Sequence, residues 1–312
     1  MKIKSKFCNG MLTSNTVSLV MLGFFLMLAV PQRVEADGKP SIPPLRETIG
    51  LALQKQSVHL RPAWEVKYLA RKYYYRIQYQ LEQLDIAEEV KKHFEKAVKK
   101  SEEKFNSGEE DISQSDITKL KLGLNGTLNS IIDLKNEIHI AKLWLGNLTG
   151  LDVSADSKME ERSIRRVPFP FKDLDEFLRD FHFQGGGASL ASENTETDPV
   201  TGKIPGKISH QLKEEDLFVL EKAFIEIQKS SDKLKLAQQS RKITRALLVT
   251  EVANYDFGIG DSQDLFEALI IYTRVLQGYY ETVYNFNLAV AALERAASSI
   301  RSGREGLSQT LP

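Results

Sequence analysis

The chain has 312 residues and carries 42 basic and 42 acidic side chains, so its formal net charge is zero. That balance points neither to nucleic acid nor to an anionic surface, since both would select an excess of lysine and arginine. Charges of both signs are finely interleaved, as on solvated helix faces, and the length leaves room for two domains.

The first 36 residues read as a signal peptide. Lys2, Lys4 and Lys6 form a positive start, Val17–Val30 is an uncharged apolar run, and Val34-Glu35-Ala36 offers small residues for cleavage. The apolar run is shorter than the ~20 residues that a membrane-spanning helix needs. Cys8, the only cysteine, lies inside this segment. The chain beyond it can form neither a disulfide nor a thiolate metal site. Residues 37–62 form a proline-rich leader with one short amphipathic piece, Leu45 to Gln56.

From Ala63 to Phe105 there is no proline or glycine. Val66, Ala70, Tyr73, Ile77, Leu81, Leu84, Val90, Phe94 and Ala97 recur in steps of three and four, which predicts one long helix. Gly108 ends it, because glycine takes the left-handed cap conformation without a Cβ clash. A second helix is predicted from Ser115 or Asp116, whose side-chain oxygens suit a helix start. Its apolar seam, Ile117, Leu120, Leu124, Leu128, Ile131, Leu134, Ile138, Ala141, Leu145 and Leu148, runs to Gly150 with a heptad-like spacing. Gly123 and Gly126 weaken that helix locally. Residues 63–150 are thus one helical hairpin.

Residues 151–211 read as a flexible crossover with one short helix, Leu174 to Phe183, because glycine, serine, threonine and proline leave little to bury. A second hairpin follows over 212–299, turning at Phe257–Asp264, and residues 300–312 read as a disordered tail. No clear strand is legible anywhere.

The two hairpins are one object written twice. Gly108 aligns with Gly258, Asp116 with Asp264 and Ile117 with Leu265. Leu120/Ala268, Leu124/Tyr272, Ile138/Phe286 and Leu145/Leu293 follow, while Ala70/Leu220, Tyr74/Phe224 and Ile77/Ile227 keep the register upstream. The first turn holds two extra residues. Such duplication marks a structural repeat unit, and the fold class is all-α, two long antiparallel hairpins of coiled-coil type that call for neighbours along their length.

No acid, base and nucleophile come together in any recognisable motif, so no enzyme is expected, nor any cofactor. His59, His93, His139, His182 and His210 show no metal-ligand spacing; His93 and His139 could meet across the first hairpin, but solvated helix positions explain them. Gly185–Gly187 precedes no phosphate-loop lysine and reads as a hinge. The tyrosines Tyr68, Tyr73, Tyr74, Tyr75, Tyr79, Tyr272, Tyr279, Tyr280 and Tyr284 read as filling a wide helix seam rather than as an interfacial belt.

A turn glycine, then an aspartate followed by an aliphatic residue, then a seam closing on Ala-x-x-x-Leu, is carried by Gly258, Asp264, Leu265, Ala268, Ala289 and Leu293. It recurs in Gly108, Asp116, Ile117, Ala141, Leu145 and Gly150. This doubled pattern resembles the outer-membrane efflux proteins, the TolC-like family, over roughly 63–150 and 212–299. The resemblance implies a passive homotrimeric conduit for efflux or secretion, exported to the outer membrane or periplasm. It also implies an inner-membrane pump as partner and a periplasmic adaptor that docks at the hairpin tips, here Gly108, Asp116, Ile117, Gly258, Gly260, Asp264 and Leu265. Family members are longer and carry barrel strand pairs ahead of each hairpin; none is recognisable here. The alternative is a soluble periplasmic coiled-coil scaffold that kept the hairpins and lost the barrel. Glu109, Glu110, Asp111 and Asp261 are candidates for an acidic aperture, a ring of carboxylates at the tube mouth. Asp116 and Asp264 are better read as helix-end residues that meet the positive dipole.

Overall fold

The computed structural model describes residues 41–55, 60–108, 113–185 and 212–308. The signal segment, Glu109–Asp111 and His59, as well as the glycine-rich stretch 186–211, lie outside the described residues. Side chains are described neither at 182–185 nor at 304–308.

Four long helices make the body: α2 (Ala63–Asn106), α3 (Gln114–Thr149), α5 (Glu214–Phe257) and α6 (Ser262–Ser308). Two short ones, α1 (Leu45–Gln54) and α4 (Leu174–Gly185), flank them. Pro62 leads into α2, where the missing N–H is no loss. With 44 residues, α2 is about 66 Å long at 1.5 Å per residue. Among the described residues the only strand pairing is β1 (Ser41–Ile42) beside β2 (Lys158–Met159), two residues each and parallel. No helix among the described residues is long and apolar enough to cross a membrane.

The expected hairpins form and share one scheme. Ala70 and Leu220, Tyr74 and Phe224, Ile77 and Ile227, Leu120 and Ala268, Ile138 and Phe286, and Leu145 and Leu293 are buried in both copies. Within the chain α2 packs against both α3 and α6, and α6 packs against α5, while α3 and α6 touch sparsely. The helices therefore lie in the order α3, α2, α6, α5, as a layer with two edges rather than a closed bundle. Ile86, Val90, Phe94, Ala97, Leu269, Tyr272 and Leu276 fill the tip-side core between α2 and α6. Gly123, which weakens the seam on paper, is needed there: a Cβ would sit 2.7 Å from the Phe94 ring.

The structure corrects the crossover in part. After Gly150, whose φ of 80° ends α3, residues 151–173 run as a packed strap rather than a flexible link. Met159 and Ile164 are buried, and Gln78 Nε2 donates to Glu161 O at 2.6 Å. The buried Asn287 accepts from Val167 N–H at 2.9 Å and donates to Arg165 O at 2.8 Å. Lys142, buried on α3, donates to Ala155 O and Ser157 O at 2.6 and 2.7 Å. Burial pushes its ammonium pKa down, and Asp156 opposes that. These side chains do for the strap what a neighbouring strand would do. The strap ends in an aromatic knot of Phe169, Phe171, Phe177 and Phe224 that seats α4 on α5.

The tail is corrected too. Helix α6 does not stop near Ser299 but continues to Ser308. Ile300 packs against the Phe286–Leu293 cluster. Arg301 donates to Phe181 O at 2.6 Å and lies over the Phe181 ring. These anchors outweigh the low helix propensity of Gly303 and Gly306.

Candidate functional site: hairpin tips and open edges

At the first tip Gly108 has φ of 80° and its N–H donates to Phe105 O at 3.2 Å. Helix α3 opens on a capping box. Ser113 Oγ accepts from Asp116 N–H at 3.2 Å, while Asp116 Oδ2 accepts from Ser113 N–H at 3.2 Å and from Ser113 Oγ at 2.6 Å. The Ser113 hydroxyl, with the Ser113 N–H and Lys119 beside it, holds the Asp116 carboxyl below its ordinary range. The cap residue is thus Ser113, and Asp116 is its reciprocal partner one turn in.

The second tip is tighter. Gly258 has φ of 77°, its N–H donates to Tyr255 O, and Ile259 N–H donates to Asn254 O at 3.0 Å. That pair of bonds is the Schellman closure. At Gly260 a Cβ would lie 2.8 Å from Asn254 Cβ, so the turn needs a glycine there. Asp261 Oδ1 accepts from Asp264 N–H at 2.8 Å and caps α6. The exposed Asp264 has no such bond from a cap side chain, and the Asp261 carboxylate beside it pushes its carboxyl up. Of the acidic aperture candidates, Asp261 is the one described, and its oxygen is engaged as a cap.

Ile117 and Leu265 are buried at the roots of the tips. They set the helix pairing and present no apolar surface to a partner. The most exposed apolar side chains at the tips, among the described residues, are Phe257 and Ile259, 81% and 79% accessible, on either side of Gly258. Both fall within the turn Phe257–Asp264 legible in the sequence, but neither was singled out among its docking residues. The available signal was two apolar residues flanking a cap glycine, off the three-four period of the seam.

The duplication shows where the edges come from. The register Ala70/Leu220 places Ile86 opposite Leu236, Tyr75 opposite Ile225 and Ala97 opposite Leu247. On α2, Ile86 is 4% exposed and sits in the α2–α6 core; on α5, Leu236 is 65% exposed. Tyr75 and Ala97 are buried, whereas Ile225 stays exposed and Leu247 borders on it. Phe218, Ile225, Leu236 and Ile243 fall on one line of α5, opposite the Leu220–Ile227–Leu234 face that meets its own hairpin. Helix α3 has the matching excess: Leu122, Ile132, Ile140 and Leu143 are exposed opposite its buried seam. The register Ile117/Leu265 puts Ile132 opposite Tyr280 and Leu143 opposite Ala291, both packed inside the wall.

Among the described residues no three His, Cys, Asp or Glu side chains are grouped to hold a metal ion. His93 lines a cleft with Glu89, Arg245 and Tyr272, facing α5 and α6. The tyrosines mostly pack: Tyr74, Tyr75 and Tyr272 are buried, and Tyr272 Oη donates to Glu89 at 2.9 Å.

No protein-family model matches the sequence, and no curated protein matches it. Solved structures do. The chain is similar to the outer-membrane channel OprN, with a TM-score of 0.57 and 14% identity over 81% of this chain and 70% of that one. It is also similar to CusC, which folds to form a transmembrane channel, with a TM-score of 0.54 and 13% identity over 81% of this chain and 72% of CusC. The Campylobacter jejuni outer membrane channel CmeC gives a TM-score of 0.53 and 14% identity over 86% of this chain and 69% of CmeC. At such identities the likeness is one of fold. The chain has the helical-hairpin architecture of these outer-membrane channels, the fold that its doubled turn motif resembles.

Proposed function

We propose that this chain is a wall segment of a TolC-like passive conduit, a homotrimer of the outer membrane or periplasm that serves efflux or secretion. The single observation that carries this reading is the unequal fate of equivalent residues, Ile86 buried and Leu236 exposed. Inside the chain, the first helix of one repeat, α2, packs on the second helix of the other, α6. The same junction is left unmade by α5 at one edge and α3 at the other. A head-to-tail junction repeated by rotation closes a ring, so further copies of the chain complete it. Residues 1–36 act as the export signal.

In this reading a periplasmic adaptor joined to an inner-membrane pump meets the tips. Gly108, Asp116, Gly258, Gly260 and Asp264 shape them, Ile117 and Leu265 anchor them, and Phe257 and Ile259 supply the contact. Glu109, Glu110, Asp111 and Asp261, repeated by the assembly, ring the mouth with carboxylates. Cation selectivity of single channels should fall when these four are neutralised; selectivity that does not change removes the aperture.

A second reading, a periplasmic scaffold without a barrel, is favoured by chain length between helices. Helix α1 ends at Gln54 and α2 starts at Ala63, so eight residues, 55–62, join them. A barrel strand needs about 9–11 residues, and no strand pair fits there. Residues 186–213, between α4 and α5, have room for one pair. Three chains contributing only that pair fall short of the eight strands of the smallest bacterial barrels. Fractionation separates the readings: detergent-requiring trimers in the outer membrane support the conduit, and recovery wholly in the soluble periplasmic extract supports the scaffold.

A further inference from the structure

Inside the chain, particular pairs hold the α2–α6 junction. Tyr79 stacks on Tyr284 with ring centroids 5.3 Å apart. The charge of Glu281 acts on the Tyr79 phenol and that of Arg76 on the Tyr284 phenol. Nearer the base, Arg295 meets the Glu65 carboxylate at 3.5 Å. The registers Ala70/Leu220 and Ile117/Leu265 carry each of these contacts onto the two open edges. On α5, Lys229 stands in the place of Tyr79 and Glu226 in that of Arg76; on α3, Asn136 stands for Tyr284 and Asp133 for Glu281. The base pair becomes Glu215 on α5 and Asn147 on α3. All six side chains are exposed.

The groups that arrive in this way are complementary, although nothing in the duplication requires it. Two stacked phenols give way to an ammonium that faces an amide and a carboxylate. Lys229 Nζ lies 3.1 Å from Glu226 on its own helix. The Asn136 amide, donor and acceptor at once, can bridge both ends of that pair, and Asp133 opposes the Lys229 charge. Among the described residues, neither the Asn136 side chain nor Asp133 has a hydrogen bond or ion pair within the chain. A slip of one heptad would set Asn129 and Gly126, or Leu143 and Ile140, against Lys229. Either slip loses the carboxylate.

We propose that α5 of one copy meets α3 of the next in this one register, with Asn136 seated across Lys229 and Glu226, Asp133 on Lys229, and Asn147 on Glu215. Ile225, Leu236 and Ile132 supply the adhesion. The polar pairs choose the alignment and exclude like-charged alternatives. An asparagine in an apolar seam costs stability but fixes register, because a slip leaves its amide unpaired. The inference rests on the conduit reading for the association itself and adds to it the residues that set the alignment.

The test is sedimentation of the full chain at low salt, with the charges exchanged across the pair. Lys229→Glu and Asp133→Lys should each weaken self-association about tenfold or more, since each sets like charges against one another. The double variant, Lys229→Glu with Asp133→Lys, should return to within about threefold of the unaltered chain. Both positions are exposed, so helix content should not change. A double variant no tighter than the weaker single, or singles that associate like the unaltered chain, would overturn the register and leave the conduit standing. An unaltered chain that stays single would overturn both.

Discussion

Ile86 and Leu236 hold the same place in two copies of one hairpin, yet one is 4% exposed and the other 65%. The difference does not lie in their own chemistry, since both are aliphatic and both sit on the flank of the first helix of a repeat. It lies in what each meets. Helix α2 has both α3 and α6 beside it, whereas α5 packs chiefly on α6 and its Leu236 side is left exposed. The comparison teaches that this chain encodes a repeating junction and satisfies it once internally, leaving an apolar stripe at each edge. Exposed apolar patches of this extent mark association surfaces.

The largest effect should come from charging the open edge. The double change Leu236→Asp and Ile243→Asp should abolish self-association, because burying unpaired carboxylates is prohibitive. Circular dichroism should retain the full helix content; loss of helix instead would place these residues in the chain's own core. Next comes the inner junction. On that non-assembling background, Ile86→Ala should cost about 2–5 kcal/mol in urea denaturation. The matching Leu236→Ala, made in place of Leu236→Asp, should stay within about 0.5 kcal/mol. Equal costs would erase the distinction between made and unmade junctions.

A smaller effect separates the strap from the wall. Asn287→Ala strands the Val167 N–H and the Arg165 carbonyl, at a cost of about 1–3 kcal/mol. Faster amide exchange at Val167, with α2 and α6 protected as before, is the expected signature. Smallest are the caps: Ser113→Ala and Asp261→Ala should each cost about 0.5–2 kcal/mol, read as fraying confined to the start of α3 or of α6.

Acid should divide the two tips. Asp116 has a lowered pKa, through Ser113 first. Its contribution is present above the unfolded carboxyl value of about 3.9 and is lost as pH falls through the folded value. Asp264 has a raised pKa, through Asp261 first. Its contribution is present below the unfolded value and is lost as pH rises through the folded value. Amide exchange at the two helix starts, followed through the carboxylate range, should therefore change in opposite senses. Parallel changes would contradict the assignment of the caps.

Much of the fold was legible because helix periodicity is a local signal. The seams Ile117–Leu145 and Leu265–Leu293 announce their buried faces residue by residue, and Gly108 and Gly258 are where the left-handed caps fall. The caps themselves were misplaced by one turn, although Ser113-Gln114-Ser115-Asp116 spells a capping box. The strap was invisible for a different reason. Val167, Phe169 and Phe171 flank two prolines in an extended run, and what holds the strap, Asn287, Gln78 and Lys142 along its length and Phe177 and Phe224 at its end, lies on helices. No periodicity of their own records those contacts. The open edges were equally hidden, since Leu236 and Ile86 read alike until the neighbours of each are known. At the tips, Phe257 and Ile259 lay outside the seam pattern that guided the choice of docking residues.

Covalent trapping tests the central claim most directly. With Cys8 replaced by serine, Leu236→Cys and Ile132→Cys place thiols on α5 and α3, opposite edges of the layer with two helices between them at spacings of about 8–10 Å. A short bismaleimide cannot bridge that gap within one chain. The account predicts a ladder of joined chains that ends at three. Chains that remain single under conditions where both thiols are reactive would contradict it.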